Sequence, residues 1–147
     1  MKNERILVCG GGLAGMAAAL GLRKAGFEVS ILSPAYKPMV LAPGQYHPRV
    51  YALSATSQRV LEQLGVWSLM PSERIEPVQA MEVHGDGGGC VHLHAWQDAQ
   101  DCLAWILESG EMERALRQAL QVFGVPWIED RFERLDQGAV VTACGQR

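Results

Sequence analysis

Three glycines, Gly10, Gly12 and Gly15, follow a short apolar run near the beginning of the chain with the spacing Gly-x-Gly-x-x-Gly. The run at residues 6–9 is continuous, which is typical of a parallel strand buried on both faces. Residues 13–25 are rich in Ala and Leu and stop before a glycine, so they favour a helix. A strand, a glycine turn and a helix in this order predict the start of a β-α-β unit.

The next segment completes this unit within about thirty residues. Residues 28–32 alternate between polar and apolar side chains and are closed by Ser33 and Pro34, which indicates a second strand. The chain is therefore expected to have an α/β fold, with a parallel Rossmann-like sheet that begins with residues 5–33. We expect residues 1–147 to form a single domain, because this length suits one hydrophobic core.

The remaining pattern predicts one irregular connection, two helices, a hairpin and two short strands. Prolines and a lack of periodicity mark the connection, whereas glycines mark the turn of the hairpin and the ends of the helices. The segments are a connection at 34–48, helices at 54–64 and 111–123, antiparallel strands at 78–84 and 91–96, and short strands at 127–128 and 139–143. Connections as long as the first are usually functional.

The charge balance excludes two classes of partner. Of 147 residues, 13 are basic and 16 are acidic, which gives a formal net charge of −3, and Lys and Arg do not cluster. Without a basic patch, we expect neither nucleic acid nor an anionic membrane surface as a partner. The longest apolar segment, residues 13–22, is about half as long as a transmembrane helix, so we expect none. Four scattered cysteines without a Cys-x-x-Cys pair predict reduced thiols and a cytoplasmic protein.

The glycine loop has a chemical interpretation because it stands between two strands. Gly10 allows a sharp turn, Gly12 allows the backbone to approach a pyrophosphate, and Gly15 allows the helix to pack closely. We expect the backbone N–H groups at the helix start, around Leu13 and Ala14, to bind the anion with the help of the helix dipole. Dinucleotide binding is favoured over the alternative, a glycine turn that only packs tightly.

The residue at the end of the second strand departs from this pattern. An acid normally stands there and accepts hydrogen bonds from both ribose hydroxyls, but this chain has Ser33. A single hydroxyl makes one such bond, and the loss amounts to about 1–3 kcal/mol. Sites for NADP replace the acid and add an arginine, whereas only Lys37 is near, so NADP is disfavoured here.

Several segments beyond the glycine loop resemble one enzyme family. They are Arg-Val-Tyr-Ala-Leu-Ser at 49–54, Ser-Gln-Arg-Val-Leu-Glu-Gln-Leu-Gly-Val-Trp at 57–67, Met-Glu-Val at 81–83, Trp-Ile-Leu-Glu at 105–108 and Arg-Ala-Leu at 114–116. The first two segments are much more specific than the glycines alone. Over nearly its whole length the chain resembles the FAD-dependent aromatic hydroxylases of ubiquinone biosynthesis, in the para-hydroxybenzoate hydroxylase class of flavin monooxygenases.

The resemblance implies a cofactor, an electron donor and a substrate class. FAD would lie across the strand ends, be reduced by NAD(P)H, and react with oxygen to hydroxylate a small aromatic substrate. Arg49 matches a family arginine that lies beside the flavin nucleotide. The hairpin, within about residues 75–105, matches an inserted piece of the substrate region. No catalytic residue is assigned.

Two further positions and the chain length depart from the family. Where the family reads Val-Glu-Asn-Arg-x-x-Gln, residues 107–113 put Gly110 at the arginine and Glu113 at the glutamine. Together with Ser33, these changes are expected to lower the affinity for FAD, because a carboxylate near a phosphate is repelled. The family's later flavin and substrate motifs would follow Arg147. We therefore expect a truncated, amino-terminal portion that is inactive as an isolated chain.

Other interpretations of the same residues stay open. A non-catalytic binding or assembly module that lost the flavin, or a nicotinamide-dependent dehydrogenase fragment, would share this fold. Three histidines and a cysteine around the hairpin are interpreted as polar residues of an exposed sheet face rather than as a metal site. They are His84, Cys90, His92 and His94. An unpaired sheet edge also predicts self-association into a homo-oligomer.

Overall fold

The structure, a computed structural model, describes residues 5–131 and 141–144. Three α-helices and nine β-strands lie in these two ranges. The helices are α1 (Leu13–Lys24), α2 (Ala55–Gln63) and α3 (Ser109–Val122). The strands are β1 (Arg5–Cys9), β2 (Glu28–Ser33), β3 (Val50–Leu53), β4 (Ile75–Val78), β5 (Ala80–His84), β6 (Cys90–His94), β7 (Ala104–Glu108), β8 (Trp127–Glu129) and β9 (Val141–Cys144).

A parallel sheet of four strands contains the start of the chain. Its order is β8-β2-β1-β9, and each neighbouring pair is parallel. Because α1 connects β1 to β2, these elements form the β-α-β unit that the sequence predicts. The expected α/β class and parallel sheet are confirmed. Strand β9 falls on the segment predicted at 139–143, of which residues 139 and 140 lie outside the described residues.

One hydrophobic cluster joins this sheet to two helices. Helix α1 contributes Met16 and Leu20, whereas α3 contributes Leu116 and Leu120, and all four side chains are fully or almost fully buried. The spacing of three to four residues that predicted α3 is therefore the spacing of its buried face. None of the helices in the described part of the chain has the length and apolarity needed to cross a bilayer.

A second sheet, of three antiparallel strands, was not predicted from the sequence. Its order is β3-β7-β4, with Val50 opposite Glu108 and Ile75 opposite Leu107. Strand β4 also contains Pro77, which an edge strand tolerates because one side of it needs no hydrogen-bond donor.

The predicted antiparallel hairpin is present but shorter than expected. Strands β5 and β6 pair with Met81 opposite Leu93, on either side of the glycine-rich turn. Val78, which was assigned to the hairpin, pairs instead with Ala104 in the second sheet. At the other end, Ala95–Asp98 form a 3-10 turn, so the strand stops before Trp96.

Candidate functional site

The turn after β1 is closed by backbone contacts that need glycine. Gly10 has a φ of +119°, a backbone conformation that residues other than glycine rarely adopt. Its N–H donates to the carbonyl of Leu32 at 2.8 Å. A Cβ atom on Gly15 would overlap the carbonyl oxygen of Gly10. The first turn of α1 therefore lies directly against the loop, which is the close packing that the glycine spacing predicts.

The amino end of α1 carries backbone donors that have no acceptor within the helix. Gly12 precedes the helix and has no side chain to cap it. The first helical hydrogen bond runs from the N–H of Met16 to the Gly12 carbonyl, at 2.9 Å. The N–H groups of Leu13, Ala14 and Gly15 precede that bond, so they are directed out of the helix end. Together with the positive end of the helix dipole, they are suited to bind an anion.

Ser33 lies beside this loop, at the end of β2. A Cβ atom on Gly11 would lie 2.6 Å from Ser33 Oγ and 2.9 Å from Cζ3 of Trp127. Gly11 is therefore required by packing, although the fingerprint spacing leaves its position free. The Ser33 hydroxyl donates to the Pro34 carbonyl at 3.2 Å. Ser33 thus stands next to the glycine loop, where the sequence pattern expects the ribose-binding residue.

A stack of one cation and two aromatic rings adjoins Ser33. The Arg117 guanidinium lies 3.5 Å from the ring centroid of Tyr36 and 4.4 Å from that of Trp127. Burial lowers the pKa of Arg117, and its buried Nε has no hydrogen-bond partner among the described residues. Because Trp127 also packs against Gly11, the Trp127 ring contacts both the Arg117 guanidinium and the glycine loop. No sequence pattern marks this arginine, since only the fold brings α3 to this end of β2.

Glu113, which the sequence suggested would repel a bound phosphate, is engaged with this stack. Partial burial raises the pKa of Tyr36, and Glu113 raises it further through its charge and through a hydrogen bond from the phenol. Arg117 acts in the opposite direction. The negative charge of Glu113 is therefore held near a cation and a hydroxyl donor, which reduces its field at the loop.

We expect Glu113→Gln to lower the pKa of Tyr36 toward its ordinary value of 10.0, because both contributions of the carboxylate are removed. Phenolate absorbance measures this pKa in a background with Tyr46→Phe and Tyr51→Phe, which leaves one of the three tyrosines. The matched control is Glu111→Gln, whose carboxylate forms a different ion pair on the same helix turn. An unchanged Tyr36 pKa in Glu113→Gln would contradict the described contact.

A buried carboxylate ties the long connection after β2 to the start of α3. Glu108 is 3% exposed, pairs with Arg74 at 2.6 Å, and accepts a hydrogen bond from the backbone N–H of His47. Burial opposes its ionisation, but these donors outweigh burial and lower the pKa of Glu108. Arg74 also donates to the Gln45 carbonyl at 3.2 Å and lies over the ring of Tyr46. This part of the connection is thereby fixed at the amino end of α3.

The departure from the family pattern at Gly110 has a steric cause. A Cβ atom on Gly110 would overlap the imidazole of His47, which covers the first turn of α3. A longer side chain at this position, such as the arginine of the resembling family, has no room while His47 lies there. Gly110 and the connection that carries His47 are therefore matched to each other.

Arg49 stands immediately before β3, close to the same helix end. Its carbonyl accepts a hydrogen bond from the N–H of Ser109 at 2.9 Å. Its guanidinium is exposed and lies 5.7 Å from the ring centroid of Tyr51. Arg49 thus lies at the start of α3 with Glu108 and Gly110, whereas the glycine loop lies at the start of α1. The candidate residues divide between two helix ends.

Sequence comparison finds both a family and individual relatives. The sequence model of the family described as FAD binding domain matches residues 3–140. The 3-demethoxyubiquinol 3-hydroxylase of Escherichia coli is 33% identical over 123 residues, which are 82% of this chain and 32% of that protein. Ubiquinone hydroxylase UbiL of Rhodospirillum rubrum is 34% identical over 120 residues, which are 81% of this chain and 26% of that protein. The chain thus spans between a quarter and a third of the length of these curated relatives.

Solved structures resemble the chain over most of its length. The tetrameric form of 2-methyl-3-hydroxypyridine-5-carboxylic acid oxygenase has a TM-score of 0.66 at 20% identity, over 87% of this chain and 32% of that one. The p-nitrophenol 4-monooxygenase PnpA of Pseudomonas putida has a TM-score of 0.63 at 21% identity, over 91% of this chain and 34% of that one. At these identities the likeness shows the fold alone.

Proposed function

Since this chain belongs to the family of FAD binding domains, we propose that it is the FAD-binding portion of a flavin-dependent aromatic-ring monooxygenase resembling the ubiquinone-biosynthesis hydroxylases. The observation that carries the proposal is the amino end of α1. This end follows directly after β1, has no side-chain cap, and packs through Gly15 against Gly10. Relatives named as a 3-demethoxyubiquinol 3-hydroxylase and a ubiquinone hydroxylase support the same reaction class.

The residues suit the diphosphate of FAD better than its ribose. The glycine loop, residues 10–15, would hold the diphosphate through the N–H groups at the amino end of α1. Ser33 would make one hydrogen bond to the ribose, and Arg49 would lie beside the flavin nucleotide. FAD supplies the redox chemistry when it is bound, whereas the protein binds and orients it. Because Ser33 replaces an acid, we expect the affinity to be lower than that of a site with a carboxylate.

The proposal extends to the reaction partners and the cell compartment. NAD(P)H is the proposed electron donor, and a small aromatic ring is the proposed substrate. A formal net charge of −3 without a basic cluster argues against nucleic acid as a partner. A cytoplasmic location is proposed because the four scattered cysteines include no Cys-x-x-Cys pair.

The proposed role is binding rather than turnover by the chain as it stands. The chain spans only 32% of the Escherichia coli relative, and the hairpin β5–β6 is proposed to be one piece of a substrate region. Strands β8 and β9 are the outer strands of the parallel sheet in the described residues. Their outer edges support self-association into a homo-oligomer, because unpaired strand edges recruit partners.

A ligand series tests the proposal by separating the diphosphate from the flavin ring. The purified chain is titrated with FAD, ADP and riboflavin, while the melting temperature and the flavin fluorescence are recorded. Binding of FAD and ADP without riboflavin is expected, because riboflavin lacks the diphosphate. A melting temperature that neither FAD nor ADP changes would overturn the proposal and favour an assembly module. Stabilisation by NADH but not by FAD would favour a dehydrogenase fragment.

The residue at the end of β2 allows a change that should improve binding. Ser33→Asp is expected to strengthen FAD binding about tenfold, or by about 1.4 kcal/mol, because a carboxylate accepts from both ribose hydroxyls. The matched control, Ser33→Ala, removes the single hydroxyl and should weaken binding severalfold. Quenching of FAD fluorescence gives the three dissociation constants. Equal values for the three proteins would place the ribose away from Ser33.

A further inference from the structure

One face of the hairpin β5–β6 carries five side chains of types that bind metal ions, and four of them form two cross-strand pairs. Glu82 stands opposite His92, and His84 stands opposite Cys90. Because side chains alternate between the two faces of a strand, these two cross-strand pairs share one face. All four residues are exposed. The sequence shows the histidines and the cysteine, but only the strand register brings them into one group with the glutamate.

Three of these side chains lie close enough together for small side-chain movements to bring them onto one metal ion. Cys90 Sγ lies 3.5 Å from Nε2 of His92, and the Nδ1 of the same ring lies 3.3 Å from Oε1 of Glu82. His84 Nε2 lies 3.6 Å from Oε2 of Glu82. One ligand atom each from Glu82, Cys90 and His92 can be chosen so that all three lie within 4.8 Å of one another. Ligand atoms around tetrahedral zinc are roughly 3.3–3.8 Å apart, for bonds of about 2.0–2.3 Å.

We propose that this face binds a Zn²⁺ ion through Glu82, Cys90 and His92, with a water molecule as the fourth ligand. A thiolate, an imidazole and a carboxylate form a mixed sulfur, nitrogen and oxygen set, which suits zinc rather than calcium or magnesium. One nitrogen of His92 binds the ion. Coordination replaces the thiol proton of Cys90, which is released to solvent.

The opposite face of the hairpin explains why the metal face stays accessible. Its side chains are apolar and exposed, and they are Met81, Val83, Val91 and Leu93. Packing of the hairpin through this apolar face would leave Glu82, Cys90 and His92 directed to solvent. A two-stranded hairpin is only marginally stable by itself. An ion that bridges β5 and β6 would therefore stabilise the hairpin, because it binds only the paired form.

Cobalt substitution tests the site without any flavin. The chain is treated with a chelator, titrated with Co²⁺ and then with Zn²⁺. We expect one Co²⁺ per chain, a thiolate-to-cobalt charge-transfer band, and loss of that band when Zn²⁺ displaces the cobalt. Cys90→Ser should remove the band, and His92→Asn should weaken cobalt binding more than tenfold. Absence of saturable binding by the unmodified chain would overturn the proposal.

A control variant and a thiol assay distinguish this site from adventitious binding. His94 lies on the same strand, but its ring stacks on Trp96 and is not one of the proposed ligands. The His94→Asn variant should therefore bind Co²⁺ as the unmodified chain does. Zn²⁺ should slow alkylation of Cys90 more than tenfold and should leave the buried Cys102 unaffected. If Cys90→Ser, with an unchanged circular dichroism spectrum, binds Co²⁺ with the same affinity and spectrum as the unmodified chain, the proposed site is wrong. Failure of FAD binding has no bearing on this outcome.

Discussion

Gly15→Ala is expected to lower the free energy of unfolding by about 3 kcal/mol, at the upper end of the usual cost of overpacking. The new methyl group would overlap the carbonyl oxygen of Gly10, and a backbone atom in a tight turn cannot rotate away as a flexible side chain does. Either α1 moves away from the loop, or the loop loses its 2.8 Å hydrogen bond to Leu32. Urea unfolding at neutral pH, followed by circular dichroism, measures the loss.

A second glycine of the same helix provides the control. The atom nearest to a Cβ on Gly21 is Cδ2 of Leu64, at 3.7 Å, which is an ordinary contact. Gly21→Ala is therefore expected to raise the free energy of unfolding by about 0.5–1 kcal/mol, since alanine is the better residue inside a helix. The two variants should thus differ in sign. Similar effects of both would contradict the close packing between α1 and the glycine loop.

The second large loss of stability is expected when the ion pair between Glu108 and Arg74 is removed. Glu108→Gln keeps the size of the side chain but removes the charge that Arg74 and the His47 N–H stabilise. The free energy of unfolding at pH 7 should fall by about 2 kcal/mol, within the range for hydrogen bonds to charged groups. Glu111→Gln is the matched control, because its ion pair with Arg114 is more exposed and should contribute less than about 0.5 kcal/mol.

The pH dependence of this difference identifies the charge as its cause. The pKa of Glu108 in the folded chain is below its ordinary value of 4.5. The stabilisation is therefore fully present above pH 4.5 and is lost as the pH falls through the lower, folded pKa. The difference between the unmodified chain and Glu108→Gln should be constant from pH 7 to about pH 5 and shrink at more acid pH. A difference that does not change with pH would show that packing, rather than charge, causes the loss.

Local patterns in the sequence were sufficient for the elements around the glycine loop. The apolar run before Gly10, the Ala and Leu content of α1 and the acceptor Ser54 at the start of α2 act between neighbours in the chain. Each pattern is set by the period of a helix or a strand, or by one cap. Strands β3, β4 and β7 were missed, and they are stabilised by the pairing of β3 and β4 with β7, which lies between them in the sheet.

The surroundings of the candidate site depend on contacts between residues that are far apart in the chain. No local pattern shows that Trp127 packs against Gly11, that Arg117 contacts the rings of Tyr36 and Trp127, or that Glu108 is buried. These contacts depend on how α3 and β8 pack beside β2, and packing is cooperative over the whole core.

The residues alone thus determined the β-α-β start and the backbone geometry suited to a diphosphate, because both arise within one short stretch of chain. The tertiary structure decided which side chains surround that stretch. It put His47 in the space above Gly110, and it set the register that groups Glu82 with His92 and Cys90. The physical reason is that hydrophobic burial and strand pairing bring together residues that are far apart in the chain. The distance between two residues along the sequence does not show whether they meet in the fold.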